Sequence, residues 1–371
     1  MVIRPIFLSA VSGNGFMAKS GATMITRRDL MLSLAAPLKL PRKLRLAVIG
    51  TVGHIGDVLT PLPKLPDVEL VAVAESDPDG MKIVAGRPVL RNAKQYADYR
   101  KMLDEVKPDV VAICNDNGAR AAAALACAER KLPMIAEKPL AIDRKEYERV
   151  KKAIIRSGQP VQLILPMRHE PHYQKLREIV TSGAIGEVGQ ISSQKSYKAG
   201  NRAQWYRNQA TYGSTILWIG IHMFDLMRHC SGREFTEAFS YQSQVGAGAG
   251  LGQMENTTTT VLKLDNGGSA SLHMDYYRPD EAPTHGDDRV RIAGSKGVVE
   301  YMAATGVTLM ERGKKPVVVS QLPEAGQIFV DFLGWAFAGQ KCSMPLADIW
   351  AVNETTLAAH ESAVAGRPVR I

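Results

Sequence analysis

"KLRLAVIGTVGHIGDVL", residues 43–59, decides the fold. Leu44–Ile49 is short, apolar and β-prone, glycines follow at 50, 53 and 56, and apolar residues then resume at helical spacing. A strand, a glycine turn and a helix in that order can carry a dinucleotide. Glycine permits a tight turn and lets the backbone approach a pyrophosphate at a helix N-terminus. The G-x-x-G-x-x-G spacing is a variant of that fingerprint, and glycine turns also join strands to helices where no nucleotide binds.

The context favours the nucleotide. "VELVAVAESDP" (68–78) reads as a second strand ending in Glu75, 19 residues past Gly56. An acid there accepts bonds from ribose hydroxyls and repels a 2′-phosphate, so NAD is expected over NADP. The alternative is a surface acid at a strand end. "KPDVVAICND" (107–116) and "KLPMIAEKPLA" (131–141) continue as apolar strands, with an alanine-rich helix over 118–130 between them. Short strands alternating with helices predict a parallel, doubly wound sheet.

After Val161 the texture changes. Runs such as "TTTTVLKLDNGGSASLHMDYY" (257–277), with an Asn-Gly turn, predict antiparallel sheet. The expected divisions are a leader over 1–43, a nucleotide-binding α/β domain over 44–162 and an α+β domain over 163–371. The boundary between the last two should fall near 158–166.

Composition narrows the function classes. The 371 residues are 45% apolar and 22% charged, as in a globular protein, and no run suggests a membrane span. The net charge of +9 invites a nucleic-acid reading. Residues 1–45, however, hold eight basic residues against one acid, leaving only +2 for the remaining 326. The basic face of a nucleic-acid binder is therefore missing. From Met24, a possible start, "MITRRDLMLSLAAPLKLPRK" resembles a twin-arginine (Tat) export signal, though its apolar stretch is short and no A-x-A site follows. Periplasmic export is the expectation; a basic tail on a cytoplasmic protein is the alternative. Four cysteines without C-x-x-C spacing indicate neither zinc nor a disulfide framework.

"STILWIGIHMFDLMRH" (214–229) is apolar nearly all round when wound as a helix. Steps of three and four nevertheless align Thr215, Trp218, His222, Asp225 and His229 on one face. Such a helix is buried, and a buried polar stripe requires partners.

Over nearly everything after residue 44, the sequence resembles the glucose–fructose oxidoreductase / inositol dehydrogenase (Gfo/Idh/MocA) family. The carriers are "AVIGTVGHIG", "VAVAESDP", "AEKPLA", "LREIVTSGAIGEV" (176–188), "IGIHMFDLMRHCSG", "APTHGDDRVRIAGSKGVVE" (282–300) and "ESAVAGRPVRI" (361–371), in the family's order. The resemblance implies a Rossmann domain, a C-terminal domain with an open, mostly antiparallel sheet, and a homodimer or homotetramer packed through that sheet. It also implies a nicotinamide cofactor and a sugar-like substrate; no metal is expected, because His285, Asp287 and Asp288 are too close in sequence to enclose an ion alone. Carried over by position, Glu137 and Lys138 of "EKP" lie beside the nicotinamide, with Lys138 on the reacting hydroxyl. His222 transfers the proton and Asp225 supports it. The implied cofactor-binding set is Gly50, Val52, Gly53, His54, Ile55, Gly56, Glu75, Asn115, Glu137 and Lys138. Arg168, Trp218, Asp225, Tyr277 and His285 are the expected substrate contacts.

Two departures bear on activity. Many dehydrogenases of the family have an acid four residues before the histidine, where this chain has Trp218. Their "P-N-H-x-H" is replaced here by "NDNGA" (115–119). The expected function is NAD-dependent hydride transfer at a carbinol carbon of a sugar, cyclitol or glycoside. The alternatives are an NAD-dependent glycoside hydrolase or lyase that works by transient oxidation, and a non-catalytic cofactor-bound sugar-binding protein.

Overall fold

The computed structural model describes residues 38–246 and 249–371. The leader, with its twin arginines, therefore falls outside the described residues except for its last six. Residues 38–371 pack as one compact unit around two sheets.

The first sheet is parallel and six-stranded, in the order β3-β2-β1-β4-β5-β6. Its strands are β1 (Leu44–Ile49), β2 (Val68–Ala74), β3 (Lys94–Tyr96), β4 (Val110–Ile113), β5 (Met134–Ala136) and β6 (Val161–Leu163). The strand order reverses at β1, so the carboxyl ends of β1, β2 and β4 surround a crevice where such folds bind ligands. β4 and β5 are wholly buried because helices cover both faces. The helix Asn117–Glu129 packs closely through its small residues Ala121, Ala123, Ala124, Ala126 and Ala128. Asp116 caps it by accepting from the Ala119 amide at 3.0 Å.

The second sheet is open and nine-stranded, in the order β14-β13-β12-β11-β7-β10-β9-β8-β15. Its strands are β7 (Val188–Lys198), β8 (Phe235–Ser243), β9 (Thr257–Leu264), β10 (Ser269–Arg278), β11 (Gly286–Gly294), β12 (Gly297–Met302), β13 (Gly306–Glu311), β14 (Val317–Val318) and β15 (Val369–Arg370). Only β7 and β10 pair in parallel. Strand alternation buries Ala270, Leu272, Met274 and Tyr276 of β10 on the helical side.

Two helical segments tie the sheets together. Ile328, Phe329, Phe332 and Leu333 of the helix Ile328–Ala338 return to the first sheet and join Leu44, Val48 and Ile164 in its core. Each such burial stabilises the fold by about 1.5–3 kcal/mol. In the helix Leu346–Ala365, the buried Asn353 accepts from the Leu140 amide at 3.1 Å, fixing the segment after β5.

The sequence predicts one continuous α-helix over 214–229. Instead, residues Ile216–Gly220 form a π-helical turn that feeds the α-helix Ile221–Ser231. A π turn carries one extra residue, which changes the facing of everything before it.

Candidate active site

The glycine turn after β1 is fixed by its backbone. The Gly50 amide donates to Ala74 of β2 at 2.8 Å and the Val52 amide to Cys114 at 2.7 Å. Gly50 has φ +76°, and a Cβ there would stand 2.5 Å from the Asn115 backbone. Gly53 has φ +66°, and its Cβ would collide with the Glu137 carboxylate and lie 2.9 Å from the Trp218 ring. Both positions therefore require glycine. At Gly56 no atom of the protein beyond its own helix approaches within 4 Å of a Cβ, so the surrounding packing does not itself require glycine there. The Ile55 side chain is buried in the first sheet's core, so only its backbone can face a ligand.

Beside the turn lies a groove of about 160 Å³, lined by Gly50, Val52, Glu75, Ser76, Asp77 and Asn115 among others. Glu75 follows β2 directly. Its carboxylate accepts from the Thr51 hydroxyl at 2.8 Å and from the Ser76 and Asp77 amides at 2.9 and 3.0 Å. Asn115 Oδ1 is buried without a partner. Backbone amides, a carboxylate at the strand end and an unsatisfied amide oxygen form a donor and acceptor set that fits a dinucleotide.

Glu137, Lys138 and His222 converge where this groove meets the second sheet's helices. One Glu137 oxygen accepts from the His54 amide and from His54 Nδ1, the latter at 2.7 Å; the other accepts from the Lys138 amide at 3.0 Å. Burial pushes this carboxyl up, but the charges of His54 and Lys138, the His54 bond and Arg120 outweigh it and bring it down to about 2. Lys138 is fully buried, and its ammonium donates to the Trp218 carbonyl at 2.8 Å. Burial draws its pKa well below the usual lysine range, while Glu137 opposes the shift.

His222 stands beside them at 5% exposure, with Nδ1 unpartnered. Its ring meets His54 edge-on at 5.1 Å between centroids. Burial, reinforced by Lys138, His54 and Lys195, draws its pKa well below the usual value and keeps the imidazole neutral. A neutral, buried imidazole with a free nitrogen near an ammonium can accept a proton from a hydroxyl bound between them.

The expected substrate contacts separate. Trp218 is buried in this cluster, 6.4 Å from the His54 ring and edge-on to Trp205 at 5.2 Å. Arg168 and Asp225, expected to meet substrate, instead satisfy each other through two bonds of 2.7 and 2.5 Å, with Asp348 also on Arg168 at 2.8 Å. That buried network anchors the helix behind His222, and His229 lies further along it beside Arg177. Tyr277 is corrected too: it is half exposed and donates to the Val245 carbonyl at 2.7 Å. Tyr276 is the buried one of the two, beside Tyr212, Tyr197 and Arg202. His285 packs its ring against Tyr197 at 5.0 Å.

Sequence reasoning missed Arg120. Fully buried, it donates to the carbonyls of Asn115, Lys138 and Pro139 and to the Asn117 side chain, bracing the ends of β4 and β5 together. Its spacing from Ala123, Ala124 and Cys127 on one helical face was the available signal. Lys195, bonded to Tyr197 at 2.5 Å and Asp288 at 2.7 Å, and the aromatic residues Trp205 and Tyr206 were also missed.

Comparison with known proteins agrees with this fold. Residues 44–164 match the oxidoreductase family with an NAD-binding Rossmann fold, and residues 173–300 match the GFO/IDH/MocA C-terminal domain. The chain is 25% identical over 255 residues to a myo-inositol 2-dehydrogenase of Thermotoga maritima, covering 68% of this chain and 74% of the relative. It is 26% identical over 250 residues to a D-glucoside 3-dehydrogenase of Escherichia coli, covering 63% and 70%. A Thermotoga maritima structure provisionally assigned as an oxidoreductase is 32% identical, covers 88% of this chain and 100% of its own, and superposes with a TM-score of 0.82. With both halves matched in order around one glycine turn and one "EKP" segment, the chain belongs to the Gfo/Idh/MocA family of oxidoreductases, with an NAD-binding Rossmann fold.

Proposed function

We propose that the protein is an NAD-dependent dehydrogenase acting at a carbinol carbon of a sugar, cyclitol or glycoside. The observation that carries this reading is the buried convergence of Lys138 and His222 beside the glycine turn, with the His222 imidazole neutral and its Nδ1 unpartnered. Bound NAD would supply the hydride acceptor. Gly50, Val52, Gly53, His54 and the Ile55 and Gly56 backbone would hold its phosphates, Glu75 its ribose hydroxyls, and Asn115 and Glu137 its nicotinamide half. Lys138 would donate to the reacting oxygen while His222 takes its proton, and the packed aromatic side chains would exclude water. The inositol and glucoside dehydrogenases among the relatives support the substrate class. The test is to measure NAD(H) bound to purified protein and to follow a panel of sugars and cyclitols at the reduced-nicotinamide absorbance. Net glycoside hydrolysis without NADH, or no turnover by cofactor-loaded protein, would sink the proposal.

Two further expectations are proposed with it. The second sheet exposes Tyr241, Val261 and Tyr277, which supports self-association into a dimer or tetramer; light scattering at several concentrations checks it. The "TRRD" leader supports periplasmic export, with no membrane span: among the described residues no helix is long and apolar enough to cross a membrane. Arg27→Lys with Arg28→Lys should hold the protein in the cytoplasm of its host, whereas a wild-type protein found only there would overturn the export reading.

A further inference from the structure

Beside the second sheet, Arg202 and Lys198 lie near His285. The Arg202 guanidinium lies over the rings of Tyr206, at 5.4 Å, and Tyr276, at 4.9 Å. Its Nε donates to the Ala199 carbonyl at 2.7 Å and its Nη2 to the Lys198 carbonyl at 2.9 Å. Guanidinium has five N–H donors in a planar fork, so these two bonds and a side-chain hydrogen bond with Tyr206 orient it and leave the remaining donors available. Lys198 Nζ is held by the carbonyls of Asp280 and Ala282 at 2.6 and 2.5 Å. Its own amide donates to the His285 carbonyl at 3.0 Å.

Three neighbouring acids have partners of their own. Asp288 pairs with Lys195, and Asp287 with Arg289 and Arg278. Asp275 accepts from the Ser196 hydroxyl and the Tyr277 amide. Among the described residues, no ion pair within 4.0 Å involves Arg202 or Lys198, although both are partly buried. Neither cation is therefore neutralised by a paired carboxylate. Burial first, then Arg202 and Lys198, lowers the pKa of His285. Oriented cations without counter-charges, held by carbonyls and aromatic faces, are suited to a planar anion.

A chain of aromatic contacts links this cluster to the proposed catalytic pair. Tyr206 meets Trp218 edge-on at 6.0 Å, and the Lys138 ammonium lies against the Trp218 ring. Lys195, beside Tyr197, acts electrostatically on both His222 and His285. A molecule between these ends needs a carbinol at one and a negative charge at the other. We infer that the substrate is a sugar acid, whose carboxylate is received by Arg202 and Lys198 while a ring hydroxyl faces Lys138 and His222. Asp288 Oδ1, buried without a partner, could accept a second hydroxyl. The inference rests on the proposed dehydrogenase reading and narrows it.

Calorimetry on NAD-saturated protein tests it, with D-glucuronate and D-galacturonate compared against D-glucose, D-galactose and D-glucose 6-phosphate. The acids should bind at least about tenfold more tightly than the neutral sugars, as a charge-assisted contact requires. Arg202→Gln should erase that advantage while leaving NAD affinity unchanged, and Lys198→Gln should reduce it. Arg202→Lys should restore only part of it, because an ammonium cannot form the fork. Equal affinity for acids and neutral sugars, including no binding of either, overturns the inference, as does tighter binding of the phosphate. Oxidation of neutral sugars alone overturns it and leaves the dehydrogenase reading standing. Acid-selective binding that never reduces NAD has the opposite meaning: the carboxylate site stands and the redox reading falls.

Discussion

The Lys138 ammonium lies 3.1 Å from the centre of the Trp218 ring and donates to the carbonyl of the same residue. One tryptophan thus holds the only side-chain cation of "EKP" from two directions, and its indole also reaches Gly53. Where the family resemblance leads one to expect a carboxylate, this chain places an aromatic face against the ammonium.

Removing that ring should expose the lysine. Trp218→Ala should cost about 3–5 kcal/mol of stability, as expected for a buried aromatic residue. In the folded variant, amine-directed labelling followed by mass spectrometry should modify Lys138 faster than in wild type. Equal labelling would show that the indole does not screen it.

His222→Ala should lower turnover by on the order of 10²–10⁴ with little change in NAD affinity. Because the folded-state pKa of His222 lies below the ordinary imidazole value of about 6.5, the basic form persists as pH falls past that point. The acid limb of the wild-type kcat/KM profile should therefore lie below pH ~6.5. A limb at or above that value would contradict the neutral buried imidazole.

His229 makes the same electrostatics visible in stability. Burial, with Arg168 and Arg177, lowers its pKa to about 3. Between that value and about 6.5 the unfolded chain binds a proton that the folded chain does not, so stability is lost as pH falls through this window. The loss is up to about 1.4 kcal/mol per pH unit for this group. Urea denaturation at pH 7.5 and 5.5 should show a smaller decline in His229→Gln than in wild type. An unchanged decline would remove His229 as a source.

Glu75→Gln keeps the side chain's length and its acceptor for the Ser76 and Asp77 amides while removing the charge. The preference for NAD over NADP should narrow by on the order of tenfold, about 1.4 kcal/mol. Tighter binding of NADP by the wild type would mean that Glu75 does not face the 2′ position.

Arg120→Met would leave the carbonyls of Asn115, Lys138 and Pro139 without their donor. A loss of about 3 kcal/mol or more is expected, with weakened NAD binding, and Arg120→Lys should recover little because one ammonium cannot span three carbonyls. Wild-type stability in Arg120→Met would show that other donors replace it.

The fold was legible because its main signals are local. A strand, Gly50, Gly53 and a helix start are contiguous, and the alternation through β10 marks an antiparallel sheet. The same alternation could have corrected the tyrosine: Ala270, Leu272 and Met274 face inward, so Tyr276 must follow them and Tyr277 must not. Asp225 and Arg168 were legible as buried polar residues but not as partners, because 57 positions separate them and only the tertiary fold brings them together. The π turn had no local signature at all, since Ile216–Gly220 would serve equally well in an α-helix.

That turn makes one side of the site replaceable by a small change in chain length. Deleting a residue between 216 and 220 would restore regular winding and rotate the preceding positions by about 100° relative to His222. A different side chain would then stand over Lys138 while the core-packed helix Ile221–Ser231 kept its place. An insertion or deletion here could therefore alter chemistry in one evolutionary step, where point substitution at 218 would have to pass through a poorly packed intermediate.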